Sequence, residues 1–433
     1  MRQVCRSLNR SFILSLFHSL TMVGIIGGGI VGLCSAYYLH KAGHQVTVFD
    51  QGHIADGCSF GNAGMIVPSH IIPLAQPGMI AKGMRWMLKS TSPFYVKPRL
   101  NADLLRWGWL FYQHSTPKHV QQSIPVLRDL SLLSKKLYQD LAINGDLIFE
   151  WQERGLMMLY KTEAAEHEMA EEADVANRAG IEAQILNGQQ VQNLEPHTRV
   201  DVRGAVYYPG DAHLNPGELM RALVAYLRRE GVTILENHPV TGFETTGSRI
   251  TTLHARGSYD VDELVIATGA WSPGMVQQLG LKLPLQGGKG YSFVLQNMMN
   301  NVRVPAIMLE ARATATPMGT SLRFAGTLEI AGTDLTVNMN RVRGIAEAIK
   351  QYYPDMLIDM PPVDAVWRGL RPCSPDGLPY IGRSERYDNV ILATGHGMMG
   401  LSLGPATGKL VSEVVVGSVN SLDIGPFKPE RFA

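Results

Sequence analysis

Cysteine is scarce in this 433-residue sequence, and neither sign of charge is in excess. The four cysteines, Cys5, Cys34, Cys58 and Cys373, are scattered without C-x-x-C spacing, so the sequence predicts neither a zinc site nor a disulfide framework. Lysine and arginine number 39 against 38 acidic residues, a net charge of +1, and no basic run alternates with aromatic residues. These absences argue against a metal site and against nucleic acid as a partner, and they fit a reducing compartment.

Long hydrophobic runs are also missing, because no stretch reaches the roughly 20 apolar residues of a transmembrane helix. Residues 1–21 combine three arginines with a short apolar run at residues 12–17, which leaves open a targeting segment or a membrane-surface helix. We favour an upstream extension, since a strand pattern begins at once at Met22. We expect a cytoplasmic protein, with any membrane attachment peripheral and on the cytoplasmic face of the inner membrane.

The length of the chain favours two domains, because a single hydrophobic core rarely grows beyond about 250–300 residues. Residues 22–50 show the strand, glycine turn, helix and strand of a βαβ unit. Buried strand patterns return at residues 261–272 and 389–397, whereas residues 289–332 alternate as antiparallel strands do. The sequence therefore predicts an α/β protein. Its two parts are a discontinuous Rossmann-like domain (22–67, 196–284 and 362–433) and an α+β substrate domain with a mainly antiparallel sheet (68–195 and 285–361).

The clearest local motif is Gly27-x-Gly29-x-x-Gly32, placed between a strand pattern and a helix pattern. Such glycines allow a tight turn, close approach of the backbone to a pyrophosphate, and close packing of helix on strand. Asp50 stands at the end of the next strand pattern, where a carboxylate accepts hydrogen bonds from ribose hydroxyls. A purely structural glycine turn is the alternative, but strand, helix and acidic residue together favour a dinucleotide.

A second glycine-rich stretch, TGHGMMGLSLGPATGKL, occupies residues 394–410. Its GPATGK portion resembles a phosphate-binding P-loop, but three residues rather than four separate its glycines and Leu410 follows the lysine. We expect instead that amides around Gly397, Gly400 and Leu401 face the pyrimidine edge of a flavin. A helix N-terminus there stabilises negative charge on the reduced ring. Glycines that merely allow close helix packing are the alternative.

Four motifs together resemble one enzyme family. They are GIIGGGIVG, SFGNAGMIVPSHIIPLAQPG, WRGLRPCSPDGLPYIG and TGHGMMGLSLGPATGKL, at residues 24–32, 59–78, 367–382 and 394–410. From Met22 to Gly417 the chain is similar to the FAD-dependent D-amino-acid dehydrogenases, within the wider superfamily of D-amino-acid, glycine and sarcosine oxidases. The resemblance implies hydride transfer from Cα of a D-amino acid to flavin N5. Water then converts the imino acid to a 2-oxo acid and ammonia, whereas cyclic substrates such as D-proline or a hydroxy-D-proline would instead leave a cyclic imine.

The resemblance also implies which residues hold a noncovalent FAD. The glycine motif carries the pyrophosphate, Asp50 the ribose, and Val240 lies beside the adenine. Monomeric sarcosine oxidases tether their flavin through a cysteine upstream of a similar Pro-Asp pair, but Cys373 stands too close to that pair, so we predict no tether. The implied cofactor-binding residues are Ile26, Gly27, Gly29, Ile30, Val31, Gly32, Asp50, Gln51, Ser59, Asn62, Ala63, Gly64, Val240, Gly269, Ala270, Gly397, Gly400 and Leu401.

Candidate residues on the substrate side are Arg371, Arg323, Tyr291 and His396. A substrate carboxylate prefers the fork of an arginine, which gives two parallel hydrogen bonds. The anchor is open, because the eukaryotic oxidases carry a further arginine where this chain has Ser374. Alternatives are a structural Arg371 bonding loop carbonyls, an exposed strand arginine at Arg323, a core tyrosine and a histidine that merely packs beneath the flavin.

The electron acceptor is predicted to be a membrane quinone or another respiratory carrier. An oxygen-using oxidase of glycine or sarcosine is a second hypothesis, and a flavin-bearing subunit of a larger complex is a third. An NAD(P)H-dependent monooxygenase is disfavoured, because GGKG at residues 287–290 enters a strand rather than a helix.

Overall fold

The computed structural model describes residues 21–54, 57–86, 94–97, 101–143 and 145–432. Of the predicted N-terminal extension, all but Thr21 lies outside the described residues. Within the described ranges, no helix combines the length and apolar character that crossing a membrane requires.

The helices, numbered along the described chain, are α1 Ile30–Lys41, α2 Met79–Trp86, α3 Ala102–His114, α4 Pro117–Ile143, α5 Glu163–Arg178, α6 Gly188–Leu194, α7 Pro216–Arg229, α8 Ser272–Gln277, α9 Met339–Tyr352 and α10 Gly400–Val416. The strands are β1 Met22–Ile26, β2 Gln45–Phe49, β3 Met65–Ile66, β4 Phe94–Val96, β5 Trp151–Gln152, β6 Leu156–Tyr160, β7 Gln184–Asn187, β8 Gly204–Tyr208, β9 Ala212–Leu214, β10 Thr233–Leu235, β11 Gly242–Thr246, β12 Arg249–His254, β13 Ser258–Asp260, β14 Glu263–Ile266, β15 Gln286–Leu295, β16 Ala306–Met308, β17 Ala313–Met318, β18 Ser321–Ile330, β19 Trp367–Cys373, β20 Tyr380–Arg383 and β21 Val390–Thr394.

The first sheet has the strand order β10-β2-β1-β14-β21-β20 in the described part of the chain. The pairs from β10 to β21 are parallel, and β20 closes one edge antiparallel to β21. Its central strands are nearly continuous apolar runs, as strands covered on both faces are. This sheet confirms the predicted Rossmann-like α/β architecture, in which distant segments of the chain supply neighbouring strands.

Helices α1 and α10 pack against each other beside this sheet. A Cβ atom at Gly408 would lie 2.4 Å from the backbone carbon of Cys34, so only glycine permits this approach. Gly408, the second glycine of GPATGK, therefore allows close helix packing, which was the alternative interpretation of this stretch. Gly397 lies just before α10, and Gly400 is its first residue.

The second sheet has the order β19-β15-β18-β17-β16-β6-β8-β7, with β4 also paired to β18. Most pairs are antiparallel, whereas β16 with β6 and β4 with β18 are parallel, and this confirms the predicted mainly antiparallel sheet. The domain boundaries stay a prediction. Strands β8 and β19 fall within the segments predicted for the Rossmann-like domain, but they pair in the second sheet. Strand pairing depends on backbone hydrogen bonds between distant segments, which local sequence does not specify.

The two sheets meet where β19 passes the end of β21. Cys373 of β19 forms an isolated antiparallel bridge with His396, just beyond β21. The carboxyl ends of the parallel strands therefore face β15, β18 and β19, and this junction encloses the site.

Candidate functional site

A deep cavity of about 940 Å³ lies at the junction of the two sheets. Its walls include residues at and beyond the carboxyl ends of β1, β2, β14 and β21, and residues of β15, β18 and β19. Open α/β sheets bind ligands outside the carboxyl ends of their strands. The volume is at the upper end of the roughly 300–1,000 Å³ range of ligand pockets, which suits a large ligand.

The glycine motif forms the first part of the cavity wall. Gly27 has φ +108°, and a Cβ atom there would lie 2.4 Å from the carbonyl oxygen of Ala267, so the turn requires glycine. Gly29 is the N-cap of α1, and the next amide, Ile30 N–H, donates to Ser59 Oγ at 2.9 Å. Gly32 does not line the cavity among the described residues; a Cβ there would lie 1.9 Å from Gly27 O, so it serves close packing.

Asp50 is fixed at the end of β2 by two backbone amides. Its Oδ2 accepts from Gly28 N–H at 2.7 Å and its Oδ1 from Gly52 N–H at 2.9 Å. Each carboxylate oxygen can accept more than one hydrogen bond. The arrangement therefore orients a carboxylate at the cavity wall while leaving it able to accept bonds from ligand hydroxyls.

Two further glycines at the cavity wall face open space. Gly269 and Gly397 have φ +54° and +55°, and a Cβ atom at either position would meet no protein atom within 4 Å. Gly400 begins α10, whose N-terminus carries partial positive charge. All three line the cavity. Bare backbone beside empty space, with a helix N-terminus, is what close approach of a flavin requires.

The loop between β2 and β3 also lines the cavity. The Asn62 amide donates to the carbonyls of Cys58 and Ser59 at 3.2 and 3.0 Å, and its Oδ1 accepts from Gly64 N–H at 2.9 Å. Because this side chain fixes its own loop, the polypeptide backbone is left to face the ligand.

All predicted cofactor positions except Gly32 line this cavity, although their roles in binding FAD stay a prediction. Those that line it are Ile26, Gly27, Gly29, Ile30, Val31, Asp50, Gln51, Ser59, Asn62, Ala63, Gly64, Val240, Gly269, Ala270, Gly397, Gly400 and Leu401. The close backbone turns, the fixed carboxylate and the helix N-termini fit FAD.

Arg371 lines the cavity from β19 and crosses its neighbour β15 at Gly290. Its Nη1 donates to the Thr327 carbonyl on β18 at 2.7 Å. A Cβ atom at Gly290 would lie 2.3 Å from that Nη1, so the missing side chain gives the guanidinium its path. Burial lowers the pKa of Arg371, and no ion pair to it is found among the described residues.

Arg323 lies outside the set of described residues that line the cavity. Its Nη1 donates to the Asn62 carbonyl at 2.8 Å, and its Nε is buried without a partner in the described structure. Burial lowers its pKa to about 10. It is therefore not the exposed strand arginine considered above; it supports the loop between β2 and β3.

Tyr291 and His396 both line the cavity, but the Tyr291 hydroxyl and His396 Nε2 contact other protein groups. The Tyr291 hydroxyl donates to Glu329 Oε2 at 3.0 Å, and burial raises its pKa. His396 Nε2 lies 2.9 Å from Thr407 Oγ1 on α10. Burial lowers the pKa of His396 to about 3, so its imidazole is neutral near pH 7.

Several residues at the cavity wall fall outside the predicted set. Among them are His70, Trp107, Phe111, Gly290 and Trp367. The one sequence signal was glycine inside the GGKG strand pattern, which indicates close approach of another group. His70 and Trp367 lie inside the second and third motifs, but nothing in those motifs singles out their side chains. Tertiary packing brings Trp107 and Phe111 to the site.

Comparisons with known proteins agree with this geometry. The DAO family, described as FAD dependent oxidoreductase, matches residues 22–414. A D-amino acid dehydrogenase of Granulibacter bethesdensis is 31% identical over 423 residues, covering 94% of this chain and 99% of that protein. A glycine oxidase from Geobacillus kaustophilus aligns with TM-score 0.75 at 22% identity (95% of this chain, 100% of that one), and an L-proline dehydrogenase from P. horikoshii with 0.73 at 20% (95% and 97%). At these identities the two structures establish the fold alone.

Proposed function

Because the chain belongs to the FAD dependent oxidoreductase family, we propose that it dehydrogenates D-amino acids at the bond between Cα and nitrogen. The D-amino-acid class is supported by the relative named D-amino acid dehydrogenase, which matches nearly the whole chain. The observation on this chain that carries the proposal is Arg371, a cation at the cavity wall without an ion-pair partner in the described structure.

Arg371 suits the carboxylate of an amino acid. A guanidinium presents a planar fork that binds both carboxylate oxygens, and it stays charged near neutral pH. One nitrogen is already held by the Thr327 carbonyl, which fixes the direction of the group. Because burial disfavours its charge, an anionic ligand offsets the cost of keeping it in the cavity.

Different segments of the chain are proposed to hold the two ends of the cofactor. We assign the cofactor's dinucleotide end to the backbone around Gly29 and to Asp50, and its ring end to the backbone around Gly397 and Gly400. When bound, FAD supplies the two-electron acceptor for the hydrogen at Cα. The neutral His396 adds no charge there, so helix α10 supplies the positive field, and positioning accounts for most of the catalysis.

The proposed acceptor is a membrane quinone or another respiratory carrier, reached by peripheral attachment on the cytoplasmic face. Helix α3 turns Trp107 and Phe111 inward and exposes Leu105, Trp109 and Tyr112 on its other face. The cavity reaches the surface beside it, since Met84 of α2 both lines the cavity and is 67% exposed. Amphipathic aromatic rings favour the membrane interface, and this supports a mouth that opens toward lipid.

The proposed reaction is tested by the visible spectrum of the purified holoenzyme under anaerobic conditions, before and after addition of single amino acids. The panel holds D-amino acids including D-proline and hydroxy-D-proline, their L-enantiomers, glycine and sarcosine. We expect D-amino acids to bleach the oxidised flavin band and a quinone analogue to restore it faster than oxygen does. A flavin band that no D-amino acid bleaches contradicts the proposal.

Membrane attachment is tested by flotation with phospholipid vesicles that contain anionic lipid. We expect the wild type to float and the double variant Leu105→Ser, Trp109→Ser to stay behind. Met299→Ser is the matched control, because Met299 is 97% exposed and does not line the cavity among the described residues. Equal flotation of all three proteins refutes this surface as the attachment site.

A further inference from the structure

A histidine and a serine at the cavity wall are linked by hydrogen bonds to a buried aspartate behind them. Ser69 Oγ lies 2.5 Å from Asp211 Oδ2, and Ser69 N–H donates to Asp211 Oδ1 at 3.1 Å. Ser69 Oγ is also 3.1 Å from His70 Nδ1. Antiparallel pairing of β3 with β9 brings the two segments together, since Ser69 follows β3 and Asp211 precedes β9.

We propose, on the premise of the amino-acid oxidation proposed above, that His70, Ser69 and Asp211 form a relay that removes the proton from the substrate ammonium group. His70 is the group that meets the substrate, and Ser69 and Asp211 act through it.

The placement of His70 fits this role. Ser69 and His70 line the same cavity as Arg371, whereas Asp211 lies behind them, outside the lining set of described residues. The described structure gives His70 Nδ1 the partner Ser69 and shows no partner for Nε2. The same segment continues to Leu74, which packs in one cluster with Cys373, two residues beyond Arg371 on β19. His70 and the proposed carboxylate anchor Arg371 thus line one cavity, and the chain segments that carry them pack together.

Hydride loss from Cα requires a lone pair on the substrate nitrogen, which an ammonium group lacks. In the resting relay Asp211 is a carboxylate, Ser69 donates to it, and His70 Nδ1–H donates to Ser69. His70 Nε2 accepts the ammonium proton, the Nδ1 proton passes to Ser69, and the Ser69 proton passes to Asp211. The products are a neutral amine, a neutral imidazole of the other tautomer and a carboxylic acid, so one proton has moved and charge balances.

Burial shifts the pKa values of Asp211 and His70 in opposite directions. Burial raises the pKa of Asp211 to about 7, and the hydrogen bonds from Ser69 and the charge of Lys135 on α4 oppose that shift. Burial lowers the pKa of His70 to about 4, so its imidazole is neutral and able to accept. Tyr207 and Tyr208 of β8 also lie near Asp211, and their pKa values are raised mainly by burial and in part by the Asp211 charge. Burial lowers the pKa of His213 of β9 to about 4.

The test is the rate of flavin reduction in single turnovers of the anaerobic holoenzyme, from below neutrality to above the pKa of the substrate amine. Between about pH 7, above which Asp211 is a carboxylate, and the pKa of the substrate amine, we expect Asp211→Asn, Ser69→Ala and His70→Gln to be slower than wild type by about a hundredfold or more. Their rates should rise about tenfold per pH unit and approach wild type once the amine arrives neutral. His213→Gln, a buried neighbour outside the cavity lining, should keep the wild-type profile.

A second measurement distinguishes loss of proton transfer from a general disruption of the substrate site. Binding of benzoate, a carboxylate without an amine, should perturb the flavin spectrum equally in wild type and Asp211→Asn. A deficit that is the same at every pH, or a wild-type profile in both Asp211→Asn and Ser69→Ala, overturns the relay alone. If Asp211→Asn does not fold, the pH profile of Ser69→Ala, which removes a single hydroxyl, tests the relay instead. A wild type whose flavin no amino acid bleaches overturns the proposed function and the relay with it.

Discussion

Alanine at Gly290 offers a test of the carboxylate anchor that leaves Arg371 itself in place. The added Cβ would lie 2.3 Å from Nη1 and 2.5 Å from Nη2 of Arg371. These atoms end a flexible side chain, so the guanidinium moves while the strands stay paired. The bond from Nη1 to the Thr327 carbonyl, 2.7 Å in the wild type, is then lost.

The magnitude follows from the interactions that the displaced guanidinium can no longer make. A hydrogen bond to a charged group contributes about 1.5–3 kcal/mol. Loss of one such bond to the substrate carboxylate should raise KM about 10- to 150-fold, since about 1.4 kcal/mol is a factor of ten. The free energy of unfolding should fall by less, because the displaced guanidinium can be hydrated in the cavity.

The assay is anaerobic flavin reduction against substrate concentration, together with the FAD content of the purified protein. We expect FAD content to stay at the wild-type level while the concentration for half-maximal reduction rises. Gly242→Ala is the control, because a Cβ in that strand makes ordinary contacts with His254 at 3.5 Å and lies outside the cavity. A Gly290→Ala protein with wild-type KM would refute Arg371 as the anchor.

Three further predictions concern the cofactor and stability. Asp50→Ala should weaken FAD binding about 10-fold or more, measured by dialysis against free flavin, because the amides of Gly28 and Gly52 lose their acceptor; unchanged affinity would exclude Asp50 from the cofactor site. Burial raises the pKa of Glu195 from 4.5 to about 7, so its contribution to stability is full below pH 4.5 and lost as pH rises through 7. Relative to Glu195→Gln, the wild type should lose up to about 3 kcal/mol of unfolding free energy over that window in denaturant titrations; parallel pH profiles would contradict this. Burial raises the pKa of the Cys373 thiol to about 12, which leaves it a poor nucleophile, so flavin should separate from denatured wild type and Cys373→Ser should retain FAD; flavin that precipitates with the protein would contradict the noncovalent prediction.

Helices α1 and α10 come from distant parts of the described chain, yet both begin at the same cavity. Helix α1 follows the first strand and α10 follows the last strand of the parallel sheet, and they pack with their N-termini at the same cavity. Close approach at Gly408 makes this pairing tight. Rigid packing thus holds the partial positive charges of two helix N-termini in fixed positions at one site, so the protein need not reorganise to provide this field.

Local sequence was sufficient where the backbone itself forms the site. The glycine motif at residues 27–32, Asp50 and the glycines before α10 were predictable because a tight turn, a strand end and a helix start are specified by neighbouring residues. The Rossmann-like architecture and the antiparallel second sheet followed for the same reason, since hydrophobic periodicity is a local property. Sheet membership of β8 and β19 was not predictable, because it depends on which distant strands pair.

Tertiary structure alone decided the chemistry of the side chains. The direction of Arg371 depends on a missing side chain at Gly290 and a carbonyl on a third strand. Arg323 supports a loop 261 residues away, and Asp211 reaches Ser69 across 142 residues. Burial, which sets the pKa values of these groups, is a property of packing that no spacing in the sequence encodes. The sequence thus determined the backbone turns at which we propose that a flavin is held, and the fold determined which side chains line the same cavity.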